Sequence, residues 1–229
     1  MITLENSSCL DLKPTRRITK SYCSITGKKP SRKTGNSHRF ESALERDYIS
    51  LLEFDERVEW YVEQPFTISY SYNGKVRIYT PDFLVIYKPS VDAIPLLAEV
   101  KYKADLKRHE AEYQPKFEAA IEFAHEKGYQ FSVITEEEIR TGGLQNAVFL
   151  NRYLHGDVDA ECATILMTCL SDLQYSTPEA LLTYCSNTAN NKSELLYVLW
   201  QLIARRTVCC DLIVPITMNS KIWINPSLR

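Results

Sequence analysis

The sequence predicts an α/β protein: a core in the order helix, three strands, helix, strand, followed by a smaller, mainly helical C-terminal domain. Three observations predict it. An amphipathic helical stripe precedes a β-rich stretch interrupted by Asn73-Gly74. A second helical stripe then runs directly into another apolar β-rich run, as in a crossover connection. Beyond about residue 160 the pattern changes to short helices. With 229 residues, 45% of them hydrophobic and 24% charged, the chain can bury a substantial core and has no compositional sign of general disorder.

Residues 1–36 read as a basic N-terminal arm. From Lys13 to Phe40 there are lysines and arginines and no acidic residue, an asymmetry that the formal net charge of −2 conceals. Such an arm attracts phosphate backbones, because its cations release condensed counterions on binding; a solvated leader is the competing reading. From Arg39 to Phe54 the chain carries Leu44, Tyr48, Leu51 and Leu52 at helical spacing. Glu45 borders that stripe on a line through Ile49 and Leu52, so its carboxylate is expected to leave the helix toward protein; Glu41, one turn earlier, is the competing acid on a less apolar line.

Two β-rich runs at about 66–72 and 76–87 follow, joined by Asn73-Gly74, a strong hairpin signal because both central residues need positive φ. Glu63 and Gln64 stand before Pro65 at the entrance of the first run, where they either line a cleft or simply end a strand. Leu96–Tyr102 is the third strand. The next helix has Pro115 in its first turn, an apolar face of Phe117, Ala120, Ile121 and Ala124, and Gly128 at its close. Tyr129–Thr135 is the fourth strand. The glycine-bearing stretch Thr141–Asp159 reads as a boundary between a first domain over 37–150 and a second over 160–229. In the second, three helices and a terminal hairpin turning at Asn219-Ser220 suggest a winged-helix-like domain, with a helical bundle and a tail as the alternative.

Several function classes are set aside. The seven cysteines form no C-x-x-C pair and read as reduced thiols of a cytosolic protein, and the four histidines are scattered without metal-ligand spacing. No apolar run reaches transmembrane length and the N-terminus has no signal-peptide pattern, so a cytoplasmic location and no membrane partner are expected.

The chemistry concentrates in TPDF (residues 80–83) and AEVK (residues 98–101), which put charged side chains inside apolar β-rich runs. Alternation along a strand directs Glu99 and Lys101 to one face. If the strands flanking the 88–95 loop pair antiparallel, Asp82 converges with Glu99 at one end of the sheet. Buried carboxylates at close range repel unless a cation neutralises them, and a hard divalent ion such as Mg²⁺ does so with one or two carboxylates, water and substrate phosphate in its shell. Lys101 would orient or deprotonate a metal-bound water, or neutralise charge at a phosphoryl transition state. Glu45 would be the third acid. A structural ion pair is the competing reading. Lys103 shares the face of Lys101 and either touches a phosphate or is solvated; Arg205-Arg206 close the last helix.

These residues resemble the PD-(D/E)xK, restriction-endonuclease-like nuclease fold. More specifically, the segment ESALERDYISLLEFDERVEWYVEQPFTISY with YTPDFLV and LLAEVKYK is similar to TnsA-type endonucleases, the nuclease subunits of heteromeric transposases in Tn-seven-like elements; the similarity spans roughly residues 37–135. By motif position Glu45 matches the helical acid, Asp82 the PD acid, Glu99 the (D/E) position, which some members fill with glutamine, and Lys101 the motif lysine. The resemblance implies Mg²⁺-dependent hydrolysis of double-stranded DNA at transposon ends, on the strand not joined to the target, with Mn²⁺ able to substitute. It also implies a DDE-type transposase and an AAA+ ATPase regulator as partners, met partly by a winged-helix-like C-terminal domain, in a prokaryotic, DNA-associated assembly. Two other readings share the sequence: a noncatalytic DNA-binding or scaffold protein, and a stand-alone restriction or repair nuclease.

Overall fold

A computed structural model describes residues 14–15, 25–185 and 189–228. Lys13, Arg16, Arg17 and Lys20 of the basic arm, with Cys9 and Cys23, lie outside the described residues. The chain divides into two compact units, Met1–Ile139 and Arg140–Arg229.

In the first unit a hairpin of β1 (Gly27–Pro30) and β2 (Ser37–Phe40) leads into helix α1 (Ala43–Phe54). The arm is therefore partly folded. Ser42 caps α1: its hydroxyl accepts from the Glu45 amide at 3.1 Å, satisfying a donor that the first helical turn leaves over. Four strands, β3 (Val58–Glu63), β6 (Phe83–Tyr87), β7 (Leu96–Val100) and β8 (Gln130–Ile134), form the central sheet in the order β3-β6-β7-β8. The first two pairings are antiparallel and the last is parallel, reached through α2 (Lys103–Arg108) and α3 (Glu110–Glu126). A short α4 (Glu136–Ile139) closes the unit.

The strand expected over 76–87 is in fact two. Pro81 has no N–H for a ladder, and the chain breaks at Thr80-Pro81-Asp82. The upstream part, β5 (Lys75–Tyr79), stays with β4 (Ile68–Tyr72) in a separate two-stranded hairpin turned by Asn73 and Gly74 at φ of 50° and 70°. The downstream part, β6, enters the central sheet, whose outer strand is β3 rather than the run at 66–72. Trp60, Tyr61 and Val62 are consecutively buried, so β3 has no alternation by which its sequence could be read. Helix α3 starts five residues before Pro115, which therefore sits in its interior instead of its first turn.

Period-two alternation sends the sheet's side chains into two cores. Phe83, Val85, Ala98 and Val100 pack with Leu44, Tyr48, Ile49 and Leu52 of α1. On the other face Leu84 and Leu97 pack with Ala120 and Ala124 of α3 and with Ile68 and Tyr79 of the hairpin. A sheet covered on both faces leaves its strand ends for chemistry.

The second unit contains α5 (Gly142–Leu150), α6 (Ala160–Leu173), β9 (Tyr175–Ser176), α7 (Pro178–Cys185), α8 (Ala189–Ala204), β10 (Val208–Cys210) and β11 (Ile222–Ile224). Its three strands form an antiparallel sheet in the order β10-β11-β9 around a core that includes Leu166, Leu170, Leu181, Leu199 and Ile203. Gly142-Gly143, read as loop punctuation, instead open α5. A Cβ on Gly142 would lie 2.1 Å from the Ile213 carbonyl oxygen, so this close approach requires glycine. Asn146 holds the long β10–β11 connection: its side chain donates to the carbonyls of Leu212 and Val214 and accepts from the Ile216 amide. No helix among the described residues is long and apolar enough to cross a membrane.

Candidate active site

Asp82 stands one residue before β6, directly after the proline break. Its position is fixed twice. The backbone carbonyl accepts from the Gln64 amide at 2.8 Å, and side-chain Oδ2 accepts from the Val100 amide at 2.8 Å. The aspartate thus ties the start of β6 to the end of β7. Glu99 lies in β7, and Lys101 follows one residue past it, with its amide still donating to the Ile134 carbonyl of β8. Since residues two apart share a strand face, both side chains reach the same place.

Lys101 Nζ lies 2.9 Å from Glu99 Oε1 and 3.2 Å from Asp82 Oδ2, and it also donates to the Val100 carbonyl at 3.2 Å. Three oxygens surround the ammonium. Tyr79 donates its hydroxyl to the second oxygen of Glu99 at 2.7 Å. Glu99 is only 3% exposed, against 14% for the Asp82 side chain and 25% for that of Lys101. Both bonds to Asp82 fall on Oδ2, which leaves Oδ1 without a donor among the described residues.

Glu45 reaches this cluster by field rather than by contact. Its carboxylate accepts from the Glu41 amide at 2.8 Å and from the Ser42 hydroxyl at 2.9 Å, reaching back across the helix start in the manner of a capping box. Glu41, the competing acid, lines the cleft in front of Asp82 and Glu99. Lys103 forms a solvated ion pair with Glu137 at 2.7 Å. Arg205 bonds the Gly156 carbonyl.

Burial, and after it the charge of Asp82, raises the carboxyl of Glu45 to about 7 and that of Glu99 to about 7. Burial pulls the Lys101 ammonium down, but Asp82 and Glu99 outweigh it and hold the lysine well above its ordinary value. Tyr79 is pushed up by burial and then by Glu99, so it remains a donor. Lys101 alone pairs with Asp82 and Glu99, while Arg77 and Lys116 line the cleft without an ion pair to them, so negative charge gathers there for protons or a further cation to offset.

The cleft, of about 490 Å³, is also lined by Gln64, Arg77, Tyr113 and Lys116. Lys116 Nζ sits 4.0 Å from the centre of the Tyr113 ring. Sequence reading passed over Arg77, Tyr113 and Lys116. Arg77 precedes Tyr79 by two on β5, and Lys116 and Tyr113 are neighbours on one face of α3, but only the fold brings those faces to Glu99.

Residues 55–136 match the family model described as TnsA-like endonuclease N terminal. The chain carries a TnsA-like endonuclease domain. No curated protein matches it. The span matched to the TnsA-like domain includes Asp82, Glu99 and Lys101, begins after Glu45, and ends within α4.

Among the described residues no group of three or more His, Cys, Asp or Glu side chains is placed to hold a metal ion. Four carboxylates line the cleft, Glu41, Asp82, Glu99 and Glu112; the two that meet at Lys101 are Glu99 and Asp82, which has an oxygen lacking a donor, and negative charge accumulates there. That set suits a hard, partly hydrated ion, since Mg²⁺ typically binds through one or two carboxylates and keeps several waters.

Proposed function

We propose that this protein is a metal-dependent DNA endonuclease subunit of a Tn-seven-type heteromeric transposase, cleaving the non-transferred strand of double-stranded DNA at transposon ends. One observation carries the reading: within a domain that matches the TnsA-like endonuclease model, Asp82, Glu99 and Lys101 meet at a single ammonium in an open cleft.

Asp82 and Glu99 would hold Mg²⁺, or Mn²⁺ in its place. When bound, the ion supplies positive charge to the scissile phosphate and acidity to a coordinated water. Lys101, held by Asp82, Glu99 and the Val100 carbonyl, serves as an oriented cation toward the charge that develops on phosphate. Tyr79 orients Glu99. Glu45 adds a third acid from the start of α1, and Arg77 and Lys116 offer charge to the DNA backbone along the cleft. The second unit has its elements in the order helix, helix, short strand, helix, helix and two strands, with an antiparallel sheet, and the part from α6 onward supports a winged-helix-like domain. It would meet the DDE-type transposase and the AAA+ ATPase.

The test is strand-specific cleavage of end-sequence DNA by the chain with its transposase partner and Mg²⁺. Asp82→Ala and Lys101→Ala are expected to abolish the cut on the non-transferred strand while both variants stay folded and still bind the partner. Continued cutting by either variant overturns the assignment. Cutting without any partner protein would replace it with a stand-alone nuclease.

A further inference from the structure

Gln64 follows the last residue of β3 and carries three observations that packing does not explain. Its backbone is left-handed, with φ of 48°, a conformation that residues with side chains seldom adopt. It is 5% exposed, yet its side-chain Oε1 has no hydrogen-bond partner. That oxygen belongs to a residue lining the same cleft as Asp82, Glu99 and Lys101. Among the described residues three buried side-chain oxygens lack a partner, and the one on Gln64 alone lies in the first unit.

The backbone around it is firmly held. The Gln64 amide donates to the Asp82 carbonyl at 2.8 Å, and its carbonyl accepts from both the amide and the hydroxyl of Thr15, each at 3.0 Å. A strained conformation that its surroundings over-determine is a common mark of a functional position. A buried carbonyl oxygen without a donor is unfavourable unless something else supplies one. Lys101, Arg77 and Lys116 line the same cleft, yet none of them donates to this oxygen, and the carboxylates there cannot when ionised. A cation or its bound water can.

We propose that Gln64 contributes a neutral oxygen to the coordination shell of a divalent cation held by Asp82 and Glu99. The inference rests on the metal-dependent reading above. A neutral amide suits this place, because it adds an oxygen to a hard-cation site without adding to the charge that Glu45, Asp82 and Glu99 already crowd together.

The test is titration of the full-length protein, without DNA, with Mn²⁺, following bound ion by calorimetry and free ion by electron paramagnetic resonance. Gln64→Leu removes the oxygen at similar volume. Gln64→Gly removes it in a residue suited to positive φ, so it keeps the test valid if the leucine variant folds poorly. Gln64→Glu keeps an oxygen, and Asp82→Ala tests the parent site. Gln64→Leu and Gln64→Gly are expected to bind Mn²⁺ roughly ten- to a hundredfold more weakly, the range typical for partners that support a metal site. Gln64→Glu should bind at least as tightly as wild type. If both truncations stay within threefold of wild type while Asp82→Ala loses binding, Gln64 has no part in the shell and the metal site stands without it. Weaker binding by Gln64→Glu would also overturn the proposal, showing that the amide acts as a donor, as toward a phosphate. Absence of Mn²⁺ binding by wild type would remove the metal reading and this inference together.

Discussion

Two groups of carboxylates in the first unit are treated differently. Glu53, in the last turn of α1, accepts from the Ser31 hydroxyl at 2.5 Å, the Arg32 amide at 3.1 Å and the Tyr61 hydroxyl at 2.8 Å. Glu63 meets the His38 ring and the Arg39 amide. These donors come from the β1–β2 hairpin and from β3, so the two glutamates fasten the hairpin to the core. In the cleft, by contrast, Asp82 and Glu99 draw on one shared ammonium, one amide and one phenol, and Asp82 keeps an oxygen without a donor. Glu99 is as buried as Glu53 and Glu63 and Asp82 somewhat less so; the donors they receive differ more. A carboxylate saturated by donors does structural service, whereas carboxylates left short of positive charge are set to receive a ligand.

The largest expected effect separates the two groups by truncation. Glu53→Ala strands the Tyr61 and Ser31 hydroxyls and the Arg32 amide, and should lower stability by about 3 kcal/mol, as breaking a buried charged network does. Asp82→Ala strands one amide and removes one partner of the Lys101 ammonium but relieves repulsion with Glu99 and Glu45, so it should change stability by less than about 1 kcal/mol. Urea melts of the two variants give the comparison. Equal losses would mean that the cleft acids are structural like Glu53, and the enzymatic reading would fail with them.

This contrast was only half legible in the sequence. Asp82, Glu99 and Lys101 could be read because a charge inside an apolar β run conflicts with its surroundings, and because alternation and the loop between β6 and β7 fix which side chains share a face. Glu53 carries no such signal. It sits at the polar margin of an amphipathic helix, and its donors lie 21, 22 and 8 residues away in sequence. The position of Glu45 toward protein was readable from its helical line. That Ser42 and the Glu41 amide occupy its carboxylate was not drawn from the line, although the S-x-x-E spacing encodes it. The sheet failed at β3 for a related reason, since consecutive burial of Trp60, Tyr61 and Val62 erases the period on which strand reading depends.

Divalent ion is the next lever. At a hundredfold excess over its dissociation constant, Mn²⁺ should stabilise the wild type by about 2.7 kcal/mol, because it binds the folded cleft and not the unfolded chain. Thermal melts should show the same gain in Glu53→Gln and none in Asp82→Ala, which sharpens the division into a saturated and an unsaturated group. Glu99→Gln should come next in size. It gives up the ion pair with Lys101 but removes a carboxylate whose charge burial and Asp82 disfavour, and it keeps an oxygen for the Tyr79 hydroxyl, so stability without metal should rise by on the order of 1–2 kcal/mol. Cleavage should fall by no more than roughly tenfold, since glutamine keeps an oxygen for the ion. A loss as complete as that of Asp82→Ala would show that the cleft needs the full charge of both acids.

The smallest effect concerns Glu45, which belongs to both groups at once: its oxygens are engaged by Ser42 and the Glu41 amide, as in the saturated cluster, yet Asp82 raises its carboxyl, as in the cleft. Ser42→Ala removes the cap hydroxyl and one of those two donors. It should lower stability by about 1 kcal/mol, the usual effect of losing an N-cap, and leave Mn²⁺ affinity within about twofold of wild type. Glu45→Ala also weakens the cap, but it withdraws a negative charge from beside Asp82 and should reduce Mn²⁺ affinity several-fold by removing that attraction. Calorimetric titration of both variants places Glu45 on one side of the division. Matching affinities would assign it to the cap alone, and the acids of the cleft would then be Asp82 and Glu99, with Glu41 and Glu112, which also line it, the remaining carboxylates to test.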